Sequence, residues 1–152
     1  MSNFASGFIR QGHGVASGKN KDPRFPLGTL AMQTPFFISQ GFEDKNFFQG
    51  TLNVSLAKYS YHFGKPHFYF PKIKWCAELP PENFSFFECT LKVSFKNLEY
   101  QSYIYWPHPS TKPEFHQDPS VLEVLAPQIT GIKYGDEVTI FADPECVRFV
   151  PF

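Results

Sequence analysis

The side chains with the most definite chemistry lie in an alternating run that begins at Thr51. Three polar residues alternate there with three apolar ones: Thr51, Asn53 and Ser55 with Leu52, Val54 and Leu56. A period of 2 predicts a half-buried β-strand whose polar side chains share one face. A hydroxyl oxygen and an amide oxygen two positions apart can bind one Mg²⁺, which prefers hard oxygen donors. The alternative is a surface strand whose polar residues only face water.

A glycine-rich segment lies upstream of this strand. It consists of Gly12, His13, Gly14, Val15, Ala16 and Ser17. Its glycines allow successive backbone N–H groups to point at one anionic oxygen. The alternative is a flexible surface loop. Gly50, which immediately precedes the alternating run, also leaves room for a ligand to approach the backbone.

One carboxylate interrupts an apolar run near the end of the chain. Glu123 lies within Val121–Pro127, which otherwise reads as a buried strand. A charge in an apolar setting requires a partner or a functional role. Glu123 is therefore a candidate for chemistry.

The composition predicts one globular domain, residues 1–152, that binds neither nucleic acid nor a membrane. Lys and Arg number 14 and Asp and Glu number 14, so the net charge is zero. No apolar run reaches the roughly 18 residues of a membrane span. Aromatic residues make up 18% of the chain and favour strands, while 14 prolines disfavour long helices.

The cysteines and the N-terminal residues predict a cytoplasmic protein. Cys76, Cys89 and Cys146 are odd in number and lack metal-site spacing, which is typical of reduced thiols. The first residues lack the apolar segment of an export signal. The five histidines form no pair with metal-ligand spacing. Cys89 is expected to be packed and not reactive. Tyr103, Tyr105 and Trp106 are expected to pack in the core, and the alternative is that they stack on a planar ring.

The remaining patterns predict seven or eight strands and one short helix. Thr34 has the chemistry of a helix cap, Pro35 suits the first helical position, and Gly41 suits the residue after the end. The predicted strands include 8–10, 28–33, 51–56, 71–77, 84–95, 100–106, 121–127 and 138–142.

The order of three segments resembles the archaeal CTP-dependent riboflavin kinase family. Gly12-x-Gly14 comes first, Gly50-Thr51-Leu52-Asn53 follows, and Glu123-Val-Leu-Ala-Pro127 precedes Gly135-Asp136. The resemblance covers most of the chain. It implies an all-β fold, a six-stranded cradle-loop barrel with one short helix, in which flavin and nucleotide meet over one end.

The resemblance also implies roles for particular residues. Thr51 and Asn53 would be the Mg²⁺ ligands, and Gly12–Ser17 would hold the nucleotide phosphates. Glu123 would lie near the hydroxyl that is phosphorylated, where a carboxylate can orient the hydroxyl or accept its proton. Ser110 and Thr111 are the candidates for a flavin-contacting residue. Such a site suits phosphoryl transfer, which requires mainly positioning and charge neutralisation.

The chain departs from the family between Pro127 and Lys133. Family members have a short helical segment there with an arginine that helps to hold the nucleotide. Here only residues 128–132 intervene, and none of them is arginine. The identity of the donor nucleotide therefore stays open.

Three hypotheses follow. The first is a Mg²⁺-dependent kinase that forms FMN from riboflavin, or a similar phosphate ester, with CTP or another nucleoside triphosphate. The second is the same barrel holding a flavin, nucleotide or other small ligand without turnover. The third is an interaction protein whose aromatic surface contacts another chain. None of them specifies an oligomeric state.

Overall fold

The computed structural model describes residues 3–10, 28–43, 47–48, 50–108 and 120–152. These residues form a mainly β structure with one short helix, which confirms the predicted class. The elements are β1 Phe4–Arg10, α1 Thr29–Ser39, β2 Leu52–Ser55, β3 Tyr59–Phe63, β4 Phe68–Ile73, β5 Glu82–Val93, β6 Leu98–Pro107, β7 Val121–Leu125, β8 Glu137–Ala142 and β9 Val147–Pro151.

Seven strands form one antiparallel sheet in the order β4-β5-β6-β7-β2-β1-β8. β8 pairs with β5 as well as with β1, so the pairings of six strands return to their starting point. β3 and β9 pair with each other in a separate two-stranded sheet. The connected strands therefore have an inner and an outer face.

The inner face carries the first hydrophobic core. Apolar side chains at alternate strand positions are fully buried there, as the period of 2 requires. They include Val54, Leu91, Ile104, Val124, Val138 and Ile140.

A second core lies on the outer face, beneath α1. Leu30 and Phe37 of the helix pack against outward-facing aromatic residues of β5. The Phe37 ring centroid lies 4.9 Å from that of Phe84 and 5.1 Å from that of Phe86. Each fully buried aromatic side chain contributes roughly 1.5–3 kcal/mol. This packing fixes α1 beside β5 and β6.

The helix begins earlier than the sequence pattern predicts. Residues 28–33 were predicted as a strand, but α1 includes all of them except Gly28. Thr34 is not the cap, because it lies inside α1 and its hydroxyl donates to the Leu30 carbonyl at 2.6 Å. Pro35 is likewise internal. The buried positions of Leu30, Gln33 and Phe37 show that packing on the sheet outweighs the hydrogen bond that proline removes.

Two other strand predictions are corrected by the pairing. The strand predicted at 71–77 lies at Phe68–Ile73 instead, and Lys72 has a positive φ of 55° where its register with β5 shifts. β3, which the sequence did not predict, owes its existence to pairing with the distant β9. The left-handed conformation expected at Gly41 is confirmed by its φ of 106°.

Gly7 allows β1 to pass close to β2, and its replacement by alanine is expected to destabilise the fold. A Cβ atom there would lie 2.4 Å from the Ser55 carbonyl oxygen and 2.9 Å from Val54 Cγ1. Relief requires movement of the β2 backbone, so Gly7→Ala should lower the free energy of unfolding by about 1–3 kcal/mol. Chemical denaturation measures this loss. Ser6→Ala on the same strand is the control, and an equal loss in both variants would contradict the steric explanation.

Candidate functional site

One row of aligned residues crosses the outer face of five neighbouring strands. In sheet order they are Phe86, Tyr105, Glu123, Asn53 and Arg10. Directly opposed residues project from the same face, with Cβ atoms about 5 Å apart. The row therefore changes from aromatic residues beneath α1 to polar and charged residues on β7, β2 and β1. These three residues, Glu123, Asn53 and Arg10, form the polar row.

Thr51 and Glu123 are joined by a hydrogen bond. The Thr51 hydroxyl donates to Glu123 Oε1 at 2.9 Å, and both side chains are half-buried. Glu123 also lies directly opposite Asn53 in the pairing of β2 with β7. The carboxylate that interrupts an apolar run thus faces the two residues that the sequence singled out as metal ligands.

The chemistry of these three side chains suits Mg²⁺. A hydroxyl that donates its hydrogen to a carboxylate keeps oxygen lone pairs for a cation. The amide oxygen of Asn53 and the carboxylate of Glu123 are hard donors too. Within the part of the chain that the structure describes, no three His, Cys, Asp or Glu side chains form a metal-binding group. Thr51 and Asn53 would offer a metal neutral oxygens, and Glu123 a charged one.

Gly12–Ser17 and Thr111 lie outside the described residues. The segment that contains Gly12–Ser17 follows Arg10, which is paired with Asn53. The segment that contains Thr111 ends before Ser120, whose carbonyl accepts a hydrogen bond from the Leu56 N–H at 2.8 Å. The described residue before the first segment thus lies beside the start of β2, whereas the described residue after the second lies beyond the end of β2.

Tyr105 connects this row to α1. Its hydroxyl donates to Gln33 Oε1 at 2.7 Å, and both side chains are buried. Burial, and then the negative charges of Glu123 and Glu82, raise the pKa of Tyr105 well above its usual value of 10.0. The core packing expected of Tyr105 is confirmed, but no local pattern indicates its hydrogen bond to Gln33.

Tyr105 should make the protein sensitive to alkali. Its pKa is raised in the folded state, so its contribution to stability is complete below pH 10 and is lost as pH rises further. Above pH 10 the loss should approach about 1.4 kcal/mol per pH unit. Tyr105→Phe is expected to flatten this part of the stability curve, measured by denaturation at a series of pH values. Tyr69→Phe, at an exposed ring, is the control, and parallel curves for Tyr105→Phe and the unaltered chain would contradict this assignment.

A pocket of about 590 Å³ opens at one end of the inner core. Its walls come from Ile9, Leu52 and Ala126, at strand ends, and from the loop that follows β7. Gly50 also lines it, next to Thr51 in the chain. Leu52 and Thr51 are adjacent in the chain but project to opposite faces, so the pocket lies on the inner side of the start of β2 and the polar row on its outer side.

One cation lies among the described residues that line this pocket. Lys133 contributes its exposed amine, whose Nζ is 3.6 Å from Oδ1 of the largely buried Asp136 side chain. Exposed aromatic rings of Phe48 and Tyr134 contribute to the rim. The described lining residues thus offer mainly apolar surface and the one positive charge of Lys133.

The other sequence candidates lie away from this site or are inert. Cys89 is buried, as expected, and burial raises its pKa, so its thiol is unreactive. Tyr103 packs in the second core, also as expected. His108 accepts or donates one hydrogen bond with Ser85 Oγ at 2.9 Å and stacks on Trp106. All three cysteines have free thiols.

The described residues thus define a mainly β protein with a six-stranded circuit of pairings and a polar site beside an apolar pocket. Comparison of the chain with protein-family models and with curated proteins finds no match. In the part of the chain that the structure describes, no helix is long and apolar enough to cross a membrane.

Proposed function

We propose that this protein is a Mg²⁺-dependent kinase of the riboflavin-kinase type. It would transfer a phosphoryl group from a nucleoside triphosphate, with CTP the first candidate, to riboflavin and form FMN. The observation that carries the proposal is the hydrogen bond between Thr51 and Glu123, opposite Asn53. Oxygen ligands for a metal and a carboxylate for the acceptor hydroxyl are thereby next to each other.

The strand pairings support the barrel that this proposal requires. Six strands pair in a closed circuit around the first core, and α1 packs outside them. We propose that this arrangement is the six-stranded cradle-loop barrel of riboflavin kinases. Its ligand-binding end would be the one at which β1 ends and β2 begins, where the pocket opens.

The chemical step would use this chain's own groups as follows. Glu123 would orient the acceptor hydroxyl and take its proton, while the hydroxyl oxygen forms a bond to the terminal phosphorus. The bond between that phosphorus and the bridging oxygen breaks, and a nucleoside diphosphate leaves. Thr51 and Asn53 would hold Mg²⁺, which supplies charge neutralisation at the phosphates. Backbone N–H groups of Gly12–Ser17 would bind those phosphates, and Thr111 would contact the flavin.

The pocket would hold the planar ring of one substrate. Its 590 Å³ lies within the roughly 300–1,000 Å³ that small-molecule sites occupy. Apolar walls suit a ring system, and the exposed rings of Phe48 and Tyr134 can stack on one. A ligand seated there would reach the polar row past Gly50, which has no side chain to obstruct it.

The proposal is tested by incubating the purified protein with riboflavin, Mg²⁺ and either CTP or ATP. Chromatography should show FMN with at least one donor, and omission of Mg²⁺ should remove it. Catalysis by a contaminant is excluded by parallel purification of the Glu123→Gln variant. FMN absent with both donors, at enzyme concentrations near those of the substrates, would contradict the proposal.

The second candidate is a binding protein with the same site and no turnover. The loop of residues 128–132 favours it, because this loop has no positively charged side chain for a triphosphate. This alternative predicts that riboflavin fluorescence is quenched on binding while no FMN forms. Quenching and FMN formation measured on the same sample separate the two functions.

A further inference from the structure

Arg10 places a positive charge at the end of the polar row. It is the last residue of β1 and lies directly opposite Asn53 on β2. Its side chain is exposed, and no hydrogen bond or ion pair engages its guanidinium within the described residues. The sequence assigned Arg10 no role beyond its strand, because nothing local relates it to Asn53 or Glu123.

One strand, β2, lies between Arg10 on β1 and Glu123 on β7. Neighbouring strands lie about 4.8 Å apart, so the two backbones are roughly 10 Å apart with Asn53 between them. Opposite charges at that separation flank Asn53, and Thr51 lies two residues before Asn53 in the chain. A group bound over Asn53 would therefore have a guanidinium on one side and a carboxylate on the other.

A guanidinium in this position suits phosphate oxygens. Its planar set of N–H donors matches them in pairs, and the resulting bonds are charge-assisted. Glu137 lies opposite Phe8 on the adjoining strand, and the Asp136 carbonyl accepts a hydrogen bond from the Ile9 N–H at 2.9 Å. Neither carboxylate forms an ion pair with Arg10 among the described contacts. Among the described residues, none occupies the guanidinium of Arg10.

We propose that Arg10 binds the terminal phosphates of the donor, so that the protein recognises a polyphosphate from the β1 side of Asn53. This inference deepens the proposed kinase function and rests on it for the identity of the donor. Arg10 would supply the positive charge that residues 128–132 lack. The ligand would be a nucleoside triphosphate that the protein recognises through its phosphates.

Binding of inorganic tripolyphosphate in the presence of Mg²⁺ tests the inference without requiring turnover. Arg10→Gln should weaken binding by roughly 10- to 100-fold in calorimetry, as loss of a charge-assisted hydrogen bond does. Arg148→Gln is the matched control, because Arg148 is also exposed and lies on β9, outside the row. It should change the affinity by less than twofold, and Arg10→Lys should give an intermediate value.

The outcomes separate this inference from the kinase proposal. Equal effects of Arg10→Gln and Arg148→Gln, or no tripolyphosphate binding by the unaltered chain, would overturn the role of Arg10. FMN formation at an unchanged rate by Arg10→Gln would overturn it too, while leaving the kinase intact. Arg10-dependent tripolyphosphate binding without any FMN formation would retain the phosphate site and remove the kinase. Melting temperatures of all variants should agree, since both arginines are exposed.

Discussion

Asn53→Ala is expected to reduce FMN formation by roughly 100-fold or more, because it removes an oxygen ligand from the proposed Mg²⁺ site. Asn53 lies between Arg10 and Glu123 in the row that crosses the sheet. A phosphate held by the metal would lose its position and its charge neutralisation together. The rate of FMN formation measured over a range of Mg²⁺ concentrations tests this, since loss of a ligand should also raise the Mg²⁺ requirement.

Ser55→Ala provides the control for Asn53→Ala. Ser55 shares the face of Asn53 on β2 but is paired with Phe8 and Val121, outside the polar row. Its replacement should leave the rate within twofold. Asn53→Ala with an unchanged rate and an unchanged Mg²⁺ requirement would remove Asn53 from the metal site.

Glu123→Gln is expected to lower kcat by roughly 10²- to 10⁴-fold, the usual effect of removing a general base. The substitution preserves size and leaves an amide oxygen that can still accept the hydrogen bond from Thr51. The fold should therefore persist, and riboflavin affinity should change far less than kcat. Rapid-quench measurement of a single turnover isolates the chemical step from product release.

Glu137→Gln removes an equal charge from the neighbouring strand β8. Glu137 is exposed and lies opposite Phe8, so its loss should leave kcat within about twofold. If both variants lower kcat equally, the effect is one of general electrostatics, and Glu123 is not the base. If Glu123→Gln retains the full rate, the carboxylate has no part in the reaction.

The sequence predicted several strands close to their positions in the structure. β2 and β8 lie close to their predicted positions because alternation of polar and apolar residues is a local property of the backbone. β7 was predicted from an apolar run, and the structure buries it on both faces. The prediction failed for residues 28–33 because a short apolar run fits a strand as well as a helix. Only the packing of Leu30 and Phe37 on the outer face of the sheet distinguishes the two.

The candidate site, too, was predicted in part from local sequence patterns and in part depends on the tertiary structure. Alternation along one strand is enough to place Thr51 and Asn53 on one face, and an isolated carboxylate in an apolar run marks Glu123. The contact between Thr51 and Glu123 joins residues 72 positions apart, so it depends on the pairing of β2 with β7.

The amino-acid sequence by itself therefore determined the β-rich class and the choice of side chains proposed as metal ligands, since both depend on residue type and local periodicity. Only the tertiary structure decided which of them meet. It brought Arg10 to one side of Asn53, Glu123 to the other, and Tyr105 into contact with Gln33. Such partners are set by strand order and helix packing, and these depend on contacts between distant parts of the chain.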